Sequence, residues 1–555
     1  MKKIIIAITL CIVTMFSCFS LTACKKSKYG NKTVIKVGTY PGGVGQEWLT
    51  DAAERFALKY AETSFEKGKK GVYVEVTDSL TGSAYLDQPM THDVYFTEVV
   101  DYYALQSKGK LADISDIISG DKSSLSEYGE TGTIASKIPS SLNSFLTAKD
   151  GKYYGLPFYE GVYGFVYDAD MFALNEWFFK EDGTFTGDEK STGIDKIAGT
   201  YDDGLPRTYA EFSKLLDKIR GAGVNPFTFA NESMTYFVSL LANYWADYEG
   251  YDKMSLNWSF NGTTDIVSSF NGTTPVITTT TINDSNIAEL QKQPGKYYAL
   301  SFLKDVLLKI DGTGKKNYIK SSDFKSAQLK FVTSCIDGDM ATSDPVAMVV
   351  DGSWFENEAQ MEGTFDIADS KDPRNNNGKE YRTTRNLGFL PIPMVDDSQA
   401  TLDNVSKNAN NSHKQTLLSS NDSFCFVSAT TTGVKLDLAK EFVKFIHTEA
   451  ELIAFNKKTS ITRPFEYTIS QTDLGNMSYF ARTLYQIKKS SNIVYPYSNS
   501  QTYVNNSSKY VLGAWAWAAE VNRNTPSNPF VFLEQDSNRS VTAKDYFEGL
   551  YNYHK

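Results

Sequence analysis

The sequence predicts an α/β protein with more than one domain, and two observations support this prediction. Strand-like and helical segments alternate along the chain in units of about 30 to 40 residues, which is the pattern of a parallel sheet with crossover helices. The chain has 555 residues, of which 41% are hydrophobic and 14% aromatic. That is enough for two or three domains of ordinary size, each with a buried core.

The alternation is clearest in the first part of the chain. Strands are predicted at 33–40, 72–76 and 93–96, where β-branched and aromatic residues cluster. Between the first two strands, apolar residues recur at helical spacing from about Gln46. A further strand is predicted at 164–168. Together these elements indicate an α/β unit.

Later elements follow the same signals. Thr208 is placed to open a helix that glycines at 221 and 223 close. The last third of the chain is predicted to be mostly helical. The remaining predicted elements are strands at 226–229, 344–354, 387–393 and 424–427, and an amphipathic helix at 436–449.

Three polar regions interrupt this pattern and are expected to be insertions or long loops. They lie at 178–205, 252–295 and 365–421, and they are rich in Asn, Ser, Thr, Gly and Asp. Asn-Gly-Thr-Thr occurs twice in the second region, which is too little to indicate an internal repeat.

The N-terminal segment predicts export. Lys2 and Lys3 precede an unbroken apolar run from Ile4 to Met15. A positive start followed by a short apolar run is typical of a signal peptide, and this run is shorter than the roughly 20 residues of a membrane-spanning helix. Residues 1–23 are therefore predicted to be a signal peptide.

Leu21-Thr22-Ala23-Cys24 resembles the lipobox of bacterial lipoproteins. The resemblance implies that Cys24 is lipidated, that residues 24–32 form a lipidated tether, and that the lipid holds the protein on the extracytoplasmic face of the cell membrane. Lys25 and a Lys- and Asn-rich chain favour a Gram-positive outer surface. The alternative is a soluble secreted protein with an accidental cysteine near its cleavage site.

Charge and cysteine content exclude several classes of function. The net charge of −10 does not suit a phosphate-backbone partner, so no nucleic acid is expected. Besides Cys24, only Cys335 and Cys425 lie beyond the signal peptide, which excludes a disulfide scaffold. We expect Cys335 and Cys425 to be two free buried thiols, and a single disulfide between them is the alternative.

No motif of an enzyme stands out. The four histidines, His92, His413, His447 and His554, are scattered without metal-ligand spacing. Neither a Gly-x-Ser-x-Gly elbow nor a Gly-rich phosphate loop occurs. We therefore expect no catalytic residue, no metal and no cofactor.

Seven short motifs follow one another along the chain, beginning with the lipobox. The others are Leu-x-Asp-x-x-Asp at 111–116, Gly-Lys-x-Tyr-Gly-Leu-Pro at 151–157, Tyr-x-Glu-Phe at 209–212 followed by Gly-x-Asn-Pro, Ala-Met-x-x-Asp-Gly-Ser-Trp at 347–354, Gly-Phe-x-Pro-x-Pro at 388–393, and Ala-Lys-Glu-Phe-x-Lys-Phe-Ile at 439–446. In this order they resemble the family 1 extracellular solute-binding proteins of ABC importers, a sugar-binding, maltose-binding-protein-like group.

The resemblance implies a fold of two α/β lobes with a hinge crossed several times, a helical C-terminal part, and a ligand held between the lobes. Open α/β sheets bind ligands beyond the carboxyl ends of their strands, which agrees with this arrangement. Hinge crossings are expected near 158–167, 349–353 and 424–428. Lobe 1 would comprise 33–160 plus 350–425, and lobe 2 would comprise 161–349 plus 426–555.

The function implied by the resemblance is that of a lipid-anchored importer component. It would act as a monomer, capture a small-molecule solute, most simply a mono- or oligosaccharide, and deliver it to the permease subunits of an ABC transporter. The alternatives are a lipoprotein that binds peptides or another small solute, a surface glycoside hydrolase, and a surface adhesin.

A sugar has apolar C–H faces and hydroxyl rims, so its site needs aromatic platforms beside hydrogen-bonding side chains. Trp354 is the first candidate, because the family places a stacking aromatic in this motif; packing against the hinge is the alternative. Trp515 and Trp517 lie in a late segment where relatives also present an aromatic to the cleft. Two positions apart on a helix, they cannot share a face, so one is expected to be core.

The remaining candidates follow predicted strand ends or flank the aromatic segments. For each of them an exposed, paired or core position is the alternative. They are Tyr40, Glu98, Tyr159, Glu160, Glu232, Tyr236, Trp245 and Arg463.

Overall fold

A computed structural model describes residues 29–78, 80, 88–98, 101–232, 235–334, 344–371, 385–395, 414–419 and 423–555. The predicted α/β class is confirmed. The strands are β1 Thr33–Thr39, β2 Val72–Thr77, β3 Val94–Thr97, β4 Leu156–Pro157, β5 Tyr163–Asp168, β6 Phe178–Phe179, β7 Phe185–Thr186, β8 Asn225–Ala230, β9 Gly262–Asn271, β10 Thr274–Ile282, β11 Tyr318–Ser321, β12 Val346–Gly352, β13 Leu387–Phe389, β14 Thr416–Leu418, β15 Phe424–Val427 and β16 Asn492–Val494.

Helices pack around these strands. They are α1 Glu47–Lys59, α2 Tyr102–Ser107, α3 Ser115–Ile118, α4 Ser140–Leu146, α5 Ala169–Leu174, α6 Tyr209–Gly221, α7 Thr235–Ser259, α8 Pro294–Ser301, α9 Phe324–Ser334, α10 Phe355–Met361, α11 Thr364–Lys371, α12 Val434–Phe445, α13 Glu449–Thr459, α14 Gln471–Gly475, α15 Tyr479–Ser490, α16 Gln501–Asn505, α17 Leu512–Trp517, α18 Pro529–Leu533 and α19 Ala543–His554. In the described part of the chain, no helix is both long enough and apolar enough to cross a bilayer.

Two five-stranded sheets form the two lobes. The first sheet has the order β2-β1-β3-β15-β4, with β1 parallel to both neighbours and β15 antiparallel. The second has the order β11-β8-β12-β5-β13, with β8 parallel to both neighbours and β5 antiparallel to both of its own. Every residue of β12 is buried, as is typical of a central strand covered on both faces.

Within the described residues, the chain passes between the lobes three times. It leaves the first sheet after β4 and enters the second at β5, and it returns from β13 to β15. Helices α12 and α13 then pack on the first lobe, whereas α15 packs against β13 of the second. The third passage therefore lies between Thr459 and Tyr479.

Two parts of the predicted division into lobes are wrong. Residues 350–389 were assigned to lobe 1, yet β12 and β13 pair with β5 in the second sheet. Residues 426–459 were assigned to lobe 2, yet α12 and α13 pack on the first lobe. The crossing predicted at 349–353 is wrong for the same reason, because the hydrogen bonds of β12 continue within one sheet to Gly352.

The polar regions contain more regular structure than expected. Residues 252–259 belong to the part of α7 that follows a break at Gly250, and 262–282 form an antiparallel hairpin of β9 and β10. The region at 178–205 holds a short hairpin of β6 and β7. Alternation of Thr with apolar residues is a strand signal that the high polar content obscured.

The predicted signal peptide, Cys24 and most of the tether lie outside the described residues, as does Cys335. Within the described part of the chain, Cys425 is a free and buried thiol, and burial raises its pKa. The prediction of two free buried thiols is thus confirmed for Cys425 and stays a prediction for Cys335.

Thr208 caps α6 as predicted. Its side chain accepts a hydrogen bond from the backbone N–H of Glu211. Replacing Thr208 by Ala is expected to lower the free energy of unfolding by about 1 kcal/mol, because the N–H loses its partner. Urea denaturation measures this change. Thr208→Ser keeps the hydroxyl and should unfold nearly as the unchanged protein does; equal losses in both variants would contradict the cap.

Candidate functional site

Three aromatic side chains meet where the strands of the second lobe face the first lobe. Gly352 at the end of β12 pairs with Tyr163 at the start of β5, and Trp354 follows two residues later. The ring centroid of Trp354 lies 4.9 Å from that of Tyr163 and 6.0 Å from that of Tyr236, in edge-to-face contacts. The rings of Tyr163 and Tyr236 lie 5.0 Å apart. We call these three residues the aromatic cluster.

The first lobe reaches the aromatic cluster through the turn at 42–44. A Cβ atom placed on Gly43 would lie 2.7 Å from Cδ1 of Trp354, so only glycine allows this approach. Nδ2 of Asn357 on α10 donates to the carbonyl oxygens of Gly43 and Val44, at 2.9 Å each. The two lobes are therefore in direct contact beside Trp354.

Three predicted site residues of the first lobe lie at the same turn. A Cβ placed on Gly42 would lie 2.9 Å from Oε1 of Glu98 and 3.0 Å from the Tyr40 ring. The Tyr159 hydroxyl donates to the same Glu98 oxygen. Burial raises the pKa of Glu98, while the hydrogen bond from Tyr159 acts in the opposite direction.

Two carboxyl groups flank Trp354 within the second lobe. Nε2 of Gln328 on α9 donates to Asp351 at 3.1 Å and to Glu358 at 2.7 Å. Burial raises the pKa of Asp351 to about 7. Burial first, and then the nearby Asp351 charge, raises the pKa of Glu358 to about 8.

The structure thus brings together Trp354, Tyr236, Tyr40, Glu98 and Tyr159, all of which the sequence singled out. Sequence reasoning missed Tyr163, Gln328, Asp351 and Glu358. Asp351 lies within the motif at 347–354, so a search of that motif for hydrogen-bonding side chains would have found it. Glu358 lies four residues beyond the end of the motif, one helical turn after Trp354.

The carboxylate of Glu160 has its partners outside the aromatic cluster. Its buried carboxylate accepts hydrogen bonds from Tyr495 at 2.7 Å and Thr462 at 2.9 Å, and pairs with Lys488 at 3.3 Å. It borders a separate cavity of about 340 Å³ at the hinge. The structure therefore places Glu160 among the chain segments that cross between lobes.

Arg463 is fully buried on the first lobe and does not face the cleft. Its Nη1 donates to the Ile446 carbonyl at 2.6 Å, and Nη2 lies 2.9 Å from Nε2 of His447. Burial lowers its pKa to about 10. The expectation that Arg463 reaches a solute does not fit this position.

The other three tryptophans that were candidates for the site are core residues. Trp245 and Trp517 are fully buried and meet edge to face at 6.0 Å, with Lys296 Nζ 4.2 Å from the Trp245 ring centroid. Trp515 is buried against Tyr510 at 5.1 Å. We expected one of Trp515 and Trp517 to face the cleft, but in this structure both are enclosed.

Glu232 is exposed at the end of β8, and its Oε1 accepts from the backbone N–H of Phe324 at 3.4 Å. That residue begins α9, so the carboxylate lies at a helix N-terminus, where a negative charge is favoured. The structure therefore gives Glu232 a helix-capping contact and does not join it to the aromatic cluster.

Comparison with known proteins identifies the family. The model of the bacterial extracellular solute-binding proteins matches residues 61–476. This chain belongs to that family. The family consists of solute-binding proteins, and membership implies a location outside the cytoplasm. No curated protein sequence matches this solute-binding protein.

Solved structures support the same fold for this solute-binding protein. RafE in complex with raffinose is 13% identical, with a TM-score of 0.52, over 94% of this chain and all of that chain. The apo form of RafE from Streptococcus pneumoniae is also 13% identical, with a TM-score of 0.50, over 94% and 97% of the two chains. At this identity the likeness shows the two-lobed fold alone.

Proposed function

We propose that this protein captures a carbohydrate between its two lobes and delivers it to the permease of an ABC importer. The observation that carries the proposal is the aromatic cluster, which lies opposite Tyr40 and Glu98 across the lobe contact. Aromatic faces suit the C–H faces of a sugar, and carboxylates and phenols suit its hydroxyls. RafE, whose fold this chain shares, is described in complex with raffinose.

Membrane attachment through a lipid on Cys24 is part of the proposal. The support is the apolar N-terminal run and Leu-Thr-Ala-Cys at 21–24. Cell fractionation of the unchanged protein and of Cys24→Ser tests it. We expect the unchanged protein in the membrane fraction and the variant outside it. Equal membrane association of both would overturn the lipid anchor.

Calorimetry of the protein against mono- and oligosaccharides, raffinose included, tests the carbohydrate assignment. We expect heat of binding from at least one sugar, together with tighter packing of the lobes in small-angle X-ray scattering. Binding of peptides or polyamines without any sugar would reject the carbohydrate assignment, and turnover of a glycoside would reject the binding-protein assignment.

Closure of the lobes over the solute is the expected mode of binding, as in other two-lobed binding proteins. Gly43→Ala should disfavour closure, because the added methyl group would overlap the Trp354 ring. Overpacking of this kind costs about 1–3 kcal/mol, so affinity should fall by about 5-fold to 150-fold. The radius of gyration of the solute-free protein should also increase.

Gly221→Ala is the matched control for Gly43→Ala, since a Cβ atom there meets no atom within 4 Å. It should leave the affinity and the radius of gyration unchanged. If Gly43→Ala leaves both quantities unchanged as well, the contact between Gly43 and Trp354 does not govern closure.

A further inference from the structure

The proposed site contains carboxyl groups from both lobes. Asp351 and Glu358 share the Nε2 donor of Gln328, so their side chains converge on one amide. Glu98 reaches the same region from the first lobe. Its Oε1 would lie 2.9 Å from a Cβ atom on Gly42, and a Cβ atom on the next residue, Gly43, would lie 2.7 Å from the Trp354 ring. Three carboxyl groups thus lie beside the aromatic cluster.

The charges that act most strongly on Glu358 are negative. They belong to Asp351, Glu362 and Glu98. The nearby cation Lys325 forms its ion pair with Glu362. Burying like charges together is unfavourable unless protons or a cation neutralise them. Burial raises the pKa of Asp351, and burial together with the Asp351 charge raises the pKa of Glu358, so protons are favoured in this role.

Gln328 offers a further acceptor. The side chain is fully buried, and among the described residues its Oε1 has no hydrogen-bond donor. A buried amide oxygen without a donor costs free energy that a donor on the solute would recover. This acceptor belongs to the same amide that joins Asp351 and Glu358.

Aromatic rings complete the surroundings. The faces of Trp and Tyr rings attract cations within about 6 Å. Tyr163 and Tyr236, which contact Trp354, are close enough to Asp351 and Glu358 for the charges of these carboxyl groups to add to the effect of burial in raising the pKa of both tyrosines. Carboxylates, a free amide oxygen and ring faces are together the groups that bind an ammonium ion. A neutral sugar needs the rings but does not need several acids in one place.

We propose that the solute carries a protonated amine, which binds among Glu98, Asp351 and Glu358 while its carbon skeleton lies against the aromatic cluster. This inference rests on the proposed function, because it concerns the same cleft. The amine is that of an amino sugar or of a polyamine, and one set of probes separates the two.

Calorimetry with glucosamine, N-acetylglucosamine, glucose and spermidine tests the proposal. The first two differ by acylation of the amine, and spermidine carries amines without a sugar. We expect glucosamine to bind at least tenfold more tightly than N-acetylglucosamine, or spermidine to bind more tightly than all three sugars. If spermidine binds tightly and none of the sugars binds, the proposal of an amine-bearing solute stands and the carbohydrate assignment is rejected.

Other outcomes decide against the amine. If the two neutral sugars bind as tightly as glucosamine and more tightly than spermidine, the amine is rejected while the carbohydrate assignment stands. If none of the four probes and none of the oligosaccharides binds, both the amine and the carbohydrate assignments are rejected. If neutral oligosaccharides bind while all four probes are silent, only the amine is rejected.

Variants locate the amine within the site. Glu358→Gln keeps the shape of the side chain and removes its charge, so affinity for the amine-bearing probe should fall at least tenfold while that for N-acetylglucosamine stays within twofold. Asp351→Asn should act in the same direction. Asp366→Asn, which removes an exposed carboxylate on α11, is the matched control and should change neither affinity. Equal losses for charged and neutral probes would contradict the assignment.

Discussion

Replacing Trp354 by Ala is expected to weaken solute binding by more than about 100-fold, equivalent to roughly 3 kcal/mol. Trp354 is the central ring of the aromatic cluster, in contact with both Tyr163 and Tyr236. Its loss would remove the largest apolar surface of the site and would leave the two tyrosine rings without their shared neighbour. Calorimetry with the solute identified from the sugar and amine panels measures the loss.

The fold should survive this substitution. Trp354 lies just before α10 and packs where the lobes meet, so its removal affects the lobe contact more than either core. Trp354→Phe retains an aromatic face and should recover most of the affinity. Trp515→Phe, at a buried ring outside the cluster, controls for general loss of packing. An unchanged dissociation constant for Trp354→Ala would show that this residue packs against the hinge and does not bind the solute.

Much of the fold was predictable because its signals are local. The strands β1, β2 and β15 and the helix α6 follow from alternating or helical spacing of apolar residues and from one capping residue. Membership in a lobe was not predictable in this way. Strands β12 and β13 pair with β5, which lies far away in the sequence, and no local pattern specifies that partner.

The site shows the same division between local and distant information. Glu98 was predicted from its position after a strand, and Trp354 from the family motif in which it stands. Arg463 and Glu160 were also candidates on local grounds, but other segments of the chain enclose them. Ile446 and His447 bind the Arg463 side chain. Tyr495 and Lys488 bind the Glu160 carboxylate. Gln328 gave no sequence signal, since its role comes only from contact with two carboxyl groups.

A buried carboxyl group outside the site is expected to make the stability of the protein depend strongly on pH. Asp247 lies inside α7 and is 4% exposed, and its Oδ1 accepts from the backbone N–H of Thr416 at 2.9 Å. Burial raises its pKa to about 7 from an ordinary value of 3.8, and the hydrogen bond opposes this only in part. The folded protein therefore holds a proton on Asp247 between about pH 4 and pH 7 that the unfolded chain has released.

Stability must then fall as the pH rises through this window, because the folded state binds more protons than the unfolded state. Each pKa unit corresponds to 1.36 kcal/mol, so Asp247 alone should lower the free energy of unfolding by about 3 kcal/mol between pH 5 and pH 8. Asp247→Asn keeps an acceptor for Thr416 and cannot ionise. In urea denaturation, the free energy of unfolding of the variant relative to that of the unchanged protein should rise by about this amount from pH 5 to pH 8. If this relative free energy is the same at both pH values, Asp247 is ionised in the folded protein.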